Sequence, residues 1–262
     1  MAITREEFIR SVAASIFWTD MARSPEDRTP LDRESANALL FSCLFNRGIA
    51  WEKAMGSAGT LGVVDEMKKR TGYTDTLSMF SVTPAMIAFD MFPSPESGLP
   101  SLHRYRYLAD YAHQCAEFLK SEYSGDARAL WKDEPTGAQL LARVMDITGI
   151  GSKIGAMFVR ICVLSHGIVL WDTYQSMDVS PDRGVSRVMS RLGLVSENPT
   201  PQEVINKARE MSPMCAVEME GLFVVHLDWC HASRQECHGN TNEDGGTERE
   251  ECPLLGACPS AR

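Results

Sequence analysis

The sequence predicts an all-helical protein of roughly ten α-helices, as its caps and apolar spacing indicate. Three threonines each precede an acid or amide by three residues, the capping-box pattern of helix N-termini: Thr4 with Glu7, Thr136 with Gln139, and Thr200 with Glu203. Behind the first cap, Phe8, Val12 and Ile16 recur with helical spacing. Strict two-residue alternation, which would indicate strands, is nearly absent.

Polar loops separate the predicted helices. Proline- or glycine-bearing loops are expected at residues 23–30 and 92–100, and an acidic loop at residues 238–251. Between the second and third loops, a helix is predicted to follow Thr136 and to end at Ile147. Prolines at the first helical position are predicted to start further helices, after Thr83, Thr200 and Ser212.

Composition favours a soluble, cytoplasmic protein that would be nucleoid-associated in a bacterium. The chain has 262 residues, 44% of them hydrophobic, which is enough for a substantial core. The longest apolar stretch, residues 161–171, is about half the length needed to cross a membrane. Eight cysteines in a reducing compartment indicate thiols or metal ligands rather than disulfides.

The net charge of −9 is unevenly distributed. Residues 236–251 hold six acids and one base, so this segment supplies −5 of the total. Residues 143–191 hold six bases against four acids. Because the local potential governs the docking of phosphates, the acidic total does not exclude a nucleic-acid partner.

A glycine-rich turn at residues 147–156 is the first chemical signal. A helix ends at Ile147, Gly149 and Gly151 follow, and a new helix begins at Ser152. Glycine permits a tight turn and close approach of the backbone, and a helix N-terminus favours an anion such as a DNA phosphate. Gly149, Gly151 and Ser152 are therefore candidate DNA contacts, although an ordinary helix–glycine–helix corner would give the same pattern.

In this context the chain resembles the helix-hairpin-helix DNA glycosylase superfamily, the endonuclease III group in particular. The family hairpin reads Leu-Pro-Gly-(Val/Ile)-Gly-x-Lys-x-Ala, and this chain matches both glycines and the lysine, Lys153. Thr148 replaces the proline and Gly155 the alanine. The segment 40–51 resembles the helix and turn that carry DNA-intercalating residues, which makes Asn46 and Arg47 candidate DNA contacts in the absence of the family's glutamine.

The resemblance also implies a catalytic carboxylate. The family pattern is an aspartate followed, after four residues, by Arg-Val-x-x-Arg-Leu-Gly. Asp182 fits, because it lies five residues before Arg187. Asp178 lies five before Arg183 but loses the rest of the register, so it is the second choice. Asp182 also suits a helix N-cap, and the family's threonine and histidine after the aspartate are Arg183 and Gly184 here.

These two residue types suit the excision of a base. Cleaving the base–sugar bond develops positive charge on the sugar, which a carboxylate such as Asp182 stabilises. A neutral amine, here Lys153, can attack the anomeric carbon, form a Schiff base and lead to β-elimination. Lys153 occupies the position of the Schiff-base lysine in bifunctional family members. Contact with a phosphate is the alternative role for this lysine.

Four cysteines close the chain with the spacing Cys230-x6-Cys237-x14-Cys252-x5-Cys258. The family's four-iron–four-sulfur (4Fe–4S) loop reads Cys-x6-Cys-x2-Cys-x5-Cys, so the outer spacings match and the middle one is longer by an acidic insertion. The resemblance implies a 4Fe–4S cluster, with zinc as the alternative and His231 or His238 as possible substitute ligands. Four other cysteines lie in apolar surroundings and are predicted to be core thiols: Cys43, Cys115, Cys162 and Cys215.

The resemblance implies two helical domains flanking a cleft. Residues 35–180 would form the hairpin-bearing barrel of helices, and residues 1–34 with 181–262 the domain that holds the cluster. The predicted function is a base-excision-repair DNA glycosylase with AP lyase activity, acting as a monomer on double-stranded DNA with a damaged or modified base. A non-catalytic DNA-damage binding protein is the alternative, and a cluster-bearing redox protein would leave the hairpin and Lys153 unexplained.

Overall fold

The computed structural model describes residues 3–21, 25–47, 54–57, 60–91, 102–172, 175, 177–230 and 252–259. Within these ranges the prediction of an all-helical protein is confirmed, apart from a ladder of two-residue strands in which β1 (Gly56–Ser57) pairs antiparallel with β2 (Thr60–Leu61). No helix in the described ranges combines the length and the apolar character that a bilayer crossing requires.

The described residues form a series of α-helices. In chain order they are α1 (Arg5–Ile16), α2 (Arg33–Phe45), α3 (Val63–Thr71), α4 (Thr76–Phe80), α5 (Pro84–Met91), α6 (Leu102–Tyr123), α7 (Gly137–Met145), α8 (Ser152–His166), α9 (Arg183–Arg191), α10 (Pro201–Met211) and α11 (Gly221–Asp228). A π-helical turn, Phe17–Met21, continues α1. Four 3-10 turns lie between or after the helices, at Pro25–Asp27, Ala127–Leu130, Ala216–Glu220 and Leu255–Ala257.

The predicted N-caps account for where several helices begin. The capping boxes of α1 at Thr4 and of α7 at Thr136 are both formed, each with reciprocal side-chain and backbone hydrogen bonds. Thr200 caps α10, with Pro201 as the first helical residue. At the C-terminus of α3, Gly72 adopts a left-handed conformation (φ +77°) that ends the helix.

The chain forms two compact units. The first comprises Met1–Arg28, Val163–Ser165 and Asp172–Arg262, and the second comprises Thr29–Cys162 and His166–Trp171. The boundaries therefore fall at residue 28 and near residue 172, compared with the predicted positions at residues 34 and 180.

Each unit has its own apolar core. In the second unit, Phe41 of α2 stacks on Phe80 of α4 with ring centroids 4.4 Å apart, and both are fully buried. In the first unit, α1, α9, α10 and α11 bury their apolar faces together, and Cys230 and Cys252 belong to the same core. The high burial of these side chains supplies most of the driving force for folding.

Candidate active site and nucleic-acid interface

The hairpin forms where the sequence predicts it. Helix α7 ends at Met145, a turn brings the Ile150 N–H to the Ile147 carbonyl (3.0 Å), and Gly149 has a φ of +92°. The Gly155 N–H donates to the Gly151 carbonyl (2.9 Å), so the hydrogen bonding of α8 begins at Gly151. The N–H groups of the first turn of α8 are therefore not consumed by the helix itself.

The two hairpin glycines are required for different reasons. A Cβ at Gly149 would lie 2.7 Å from Cγ of Tyr111 on α6, and its positive φ disfavours any L side chain. A Cβ at Gly151 would meet nothing within 4 Å, and this residue is exposed. Gly149 therefore shapes the turn, whereas Gly151 leaves open space in front of the backbone.

Gly155, which replaces the family's alanine, allows the two hairpin helices to pack closely. A Cβ at this position would lie 2.7 Å from Cδ1 of Leu141 and 3.2 Å from Cγ of Met145, both on α7. The side chains of Leu141 and Met145 therefore occupy the space that a Cβ at position 155 would take.

Arg47 contacts the hairpin. Its Nη1 donates to the Gly149 carbonyl (2.8 Å), and its guanidinium carbon lies 5.1 Å from the centroid of the Tyr111 ring. Asn46 caps α2, with its backbone N–H directed to carbonyls of the last turn. The predicted DNA contacts Asn46 and Arg47 therefore directly follow α2, and Arg47 also contacts the hairpin.

Lys153 lies in the first turn of α8, directly after the hairpin, and is half-buried, as is Ser152. Within the second unit, no described acidic residue forms an ion pair with Lys153.

Asp182 and Asp178 differ in their surroundings. Oδ1 of Asp182 accepts the Val185 N–H (2.8 Å), which makes Asp182 the N-cap of α9, and the residue is half-buried. The Asp178 side chain is 9% exposed, and both its oxygens accept from the Arg209 guanidinium at 2.7 Å. These hydrogen bonds raise the pKa of Arg209. Asp178 is therefore engaged in an ion pair, whereas Asp182 caps a helix with one oxygen.

The segment that leads to Asp182 is held by Glu220, a residue that the sequence analysis missed. Glu220 is buried, and its Oε2 accepts the Ser180 N–H (2.7 Å). The Asp182 N–H in turn donates to the Ser180 carbonyl (2.7 Å). Since Glu220 lies about 40 residues along the chain from these groups, no local pattern could have indicated this support.

Gly184, which stands where the family has a histidine, is explained by packing against α11. A Cβ at this position would lie 2.7 Å from Cδ2 of His226 and 2.9 Å from Cδ2 of Phe223. Nδ1 of His226 donates to the Cys230 carbonyl (3.0 Å). The imidazole of His226 therefore covers the first turn of α9 from a neighbouring helix.

Three of the four C-terminal cysteines lie in described residues, and Cys237 lies outside them. Cys230 and Cys252 are buried, and Cys258 is half-buried against the same core. Nη1 of Arg191 lies 3.1 Å from the Cys230 sulfur, and the Cys258 thiol donates to the Arg191 carbonyl (3.8 Å). Within the described ranges, no three potential metal ligands are grouped closely enough to hold an ion.

Comparison with known proteins relates this fold to DNA glycosylases. No protein-family model and no curated protein matches the sequence. Among solved structures, an endonuclease III trapped as a covalent intermediate with DNA has a TM-score of 0.60 at 16% identity, covering 99% of this chain and 98% of that one. A thermostable thymine-DNA glycosylase has a TM-score of 0.54 at 17% identity, covering 98% and 96%.

The chain therefore has the fold of the helix-hairpin-helix DNA glycosylases, and the predicted resemblance to the endonuclease III group is confirmed at the level of the fold. The likeness extends over nearly the whole length of each chain.

Proposed function

We propose that this protein is a DNA glycosylase of base-excision repair that removes a damaged or modified base from double-stranded DNA and then nicks the strand as an AP lyase. The observation that carries the proposal is the position of Lys153, in the first turn of the helix that follows the hairpin. It stands in a fold shared over the full length with an enzyme captured in a covalent complex with DNA.

In the proposed reaction, the target nucleotide leaves the base stack before chemistry begins. The bond between C1′ and the base nitrogen breaks, and its electron pair leaves with the base. The Asp182 carboxylate stabilises the positive charge on the sugar. The Lys153 amine forms a bond to C1′, and ring opening gives a Schiff base. Loss of a C2′ proton then expels the 3′ phosphate by β-elimination.

The contacts of the two aspartates support Asp182 in this role. Both Asp178 oxygens accept hydrogen bonds from Arg209, which neutralises the charge of that carboxylate. Only Oδ1 of Asp182 is used for capping, and no described residue hydrogen-bonds its second oxygen. A carboxylate with one unoccupied oxygen is available to a cationic sugar, whereas a carboxylate in a bidentate ion pair is not.

We further propose that Cys230, Cys237, Cys252 and Cys258 hold a 4Fe–4S cluster. The donor set fits, because thiolates bind such clusters and because the Arg191 guanidinium lies within hydrogen-bond distance of the Cys230 sulfur, which suits a sulfur that carries negative charge. When bound, the cluster would organise the C-terminal segment and take no part in base chemistry. Zinc on the same thiolates is the alternative.

Visible absorbance and metal analysis separate the two metals. A 4Fe–4S protein is brown, with a broad visible band and about four irons per chain. Replacing Cys252 by serine should lower the metal content and the solubility together, because metal binding is coupled to folding. A colourless protein with one zinc per chain would overturn the cluster proposal and leave the glycosylase proposal intact.

Borohydride trapping tests the enzyme proposal. The protein is incubated with a panel of duplexes, each with one lesion, and borohydride reduces any Schiff base to a stable protein–DNA adduct. Lys153→Ala should abolish trapping and nicking while duplex affinity stays nearly unchanged. Lys132→Ala, which removes an exposed lysine of the same unit, is the matched control and should trap normally.

The aspartates form a second matched pair. Asp182→Asn should strongly reduce base excision and preserve the fold, because asparagine caps a helix nearly as well as aspartate. Asp178→Asn should excise nearly as fast as the wild type. If Asp178→Asn is the inactive variant instead, the assignment is wrong by about one helical turn.

The same panel tests the alternative of a non-catalytic DNA-damage binding protein. The specific observation that favours this alternative is the replacement of the family's threonine and histidine by Arg183 and Gly184, next to Asp182. Binding to lesion duplexes without excision, trapping or nicking on any of them would support it and overturn the enzyme proposal.

A further inference from the structure

Three arginines line one side of α9. Arg183, Arg187 and Arg191 are spaced by four residues, so they follow one another along the helix at intervals of about 6 Å. The opposite side of α9 is buried through Val185 and Val188. Arg183 and Arg187 therefore lie on the side of α9 that faces away from the core of the first unit, whereas the Arg191 guanidinium reaches the Cys230 sulfur at the other end of the helix.

This side of α9 forms one wall of a groove of about 570 Å³. Asp182 lies at the end of the groove where α9 begins. Two serines lie between the arginines, and a proline-rich turn forms the second wall. The lining comprises Pro181, Asp182, Arg183, Ser186, Arg187, Ser190, Arg191, Glu197, Asn198, Pro199 and Pro201.

The charge of the groove is not balanced by the protein around it. No described residue forms an ion pair or a hydrogen bond with the side chain of Arg183 or Arg187, and the lining contains only two acids, Asp182 and Glu197. Like charges one helical turn apart destabilise a helix slightly. An anion beside them would offset this repulsion, and guanidinium groups bind phosphate with paired hydrogen bonds.

We propose that this groove binds the phosphodiester backbone of the DNA strand that carries the target base. The inference rests on the proposed function, because Asp182 acts on the sugar of that strand and the groove extends from Asp182. A single free phosphate would need converging donors. Arg183 and Arg187 instead lie about 6 Å apart along the helix axis, which suits two successive phosphates of one strand.

The salt dependence of binding tests the groove. Affinity for a duplex with a central abasic-site analogue is measured by fluorescence anisotropy between about 50 and 200 mM salt. Each lost phosphate contact should reduce the slope of log affinity against log salt by about 0.9. Raising the salt over this range should therefore reduce the ratio of wild-type to variant affinity about 3.5-fold for Arg183→Gln or Arg187→Gln. For the double variant, the ratio should fall about 12-fold.

Two further variants control for charge and folding. Arg10→Gln removes an exposed arginine from α1 in the same unit and should keep the wild-type slope. Arg187→Lys keeps the charge, so it should also keep the slope while losing the paired hydrogen bonds. Wild-type slopes for both glutamine variants would overturn the groove proposal, as would an equal reduction in the Arg10→Gln control.

The outcomes separate this inference from the proposed function. Reduced slopes in a protein that neither excises bases nor forms the borohydride adduct would retain the groove and overturn the enzyme proposal. Normal excision with unchanged slopes would retain the enzyme and overturn the groove. A wild-type protein that does not bind the duplex would overturn both.

Discussion

Alanine substitutions at the two hairpin glycines should have opposite consequences, because only one of the glycines is conformationally constrained. At Gly149, a φ of +92° costs an L residue about 1–2 kcal/mol. The added Cβ would lie 2.7 Å from Tyr111 Cγ, and forcing such an overpacked contact costs about 1–3 kcal/mol more. Gly149→Ala should therefore lower the free energy of unfolding by about 2–5 kcal/mol.

At Gly151, the added methyl group meets no atom within 4 Å and the backbone is not left-handed. The cost to folding should be at most about 1 kcal/mol, the difference between glycine and alanine as an N-cap. If a phosphate approaches this backbone, the methyl group should displace it. Losing one charged hydrogen bond costs about 1.5–3 kcal/mol, or roughly tenfold or more in affinity.

Urea unfolding followed by circular dichroism, together with duplex binding by anisotropy, measures both effects. The double variant Gly149→Ala/Tyr111→Ala should lose less unfolding free energy than the two single variants together, because it removes the clash but not the backbone strain. Wild-type affinity in Gly151→Ala would refute the role of the hairpin as a phosphate site. Wild-type stability in Gly149→Ala would refute the turn geometry described above.

Three further perturbations follow from single observations. Arg47→Ala should lower stability by about 0.5–1.5 kcal/mol, since it removes the hydrogen bond to the Gly149 carbonyl, and a larger loss in duplex affinity than in stability would indicate that Arg47 also contacts DNA. Deleting residues 240–249 should leave duplex affinity unchanged or improve it, because this acidic segment repels phosphates; weaker binding in an anisotropy titration would contradict that view. Burial raises the pKa of Cys43 and of Cys215 to about 12 each. Their neutral thiols should therefore contribute fully to the free energy of unfolding below about pH 9, and this contribution should be lost as the pH rises toward 12. Urea unfolding at several pH values measures the loss.

Local signals in the sequence predicted the caps at Thr4, Thr136 and Thr200 and the hairpin, because each depends on residues close together in the chain, whereas the helix expected to start at Pro213 is a turn followed by the 3-10 turn Ala216–Glu220. Thr136 caps α7 through Gln139, three residues away, and the Gly149–Gly151 spacing sets the turn. Contacts between distant segments left no such signal. Arg47 lies 102 residues from the Gly149 carbonyl to which it donates, so its contact could only be seen in the folded chain.

Buried polar contacts were equally invisible in the sequence. The fully buried Asn37 donates to the Gly125 carbonyl (3.0 Å) and accepts the Ala127 N–H (2.9 Å), although a lone asparagine in an apolar stretch suggests nothing of the kind. The predicted ligand Cys237 and the acidic insertion lie outside the described residues, so the cluster stays a prediction. The roles of Lys153 and Asp182 likewise await the trapping experiment.

The packing of His226 and Phe223 over Gly184 should restrict which residues related sequences carry at these positions. Because a side chain at position 184 would collide with both rings, residue sizes at positions 184 and 226 should vary inversely among related sequences. A chain with the family's histidine at position 184 should carry a small residue at position 226. Selection of folded clones from a library randomised at positions 184 and 226 should return two combinations: a small residue at 184 with an aromatic ring at 226, or the reverse. Clones with a ring at both positions, or at neither, should be rare.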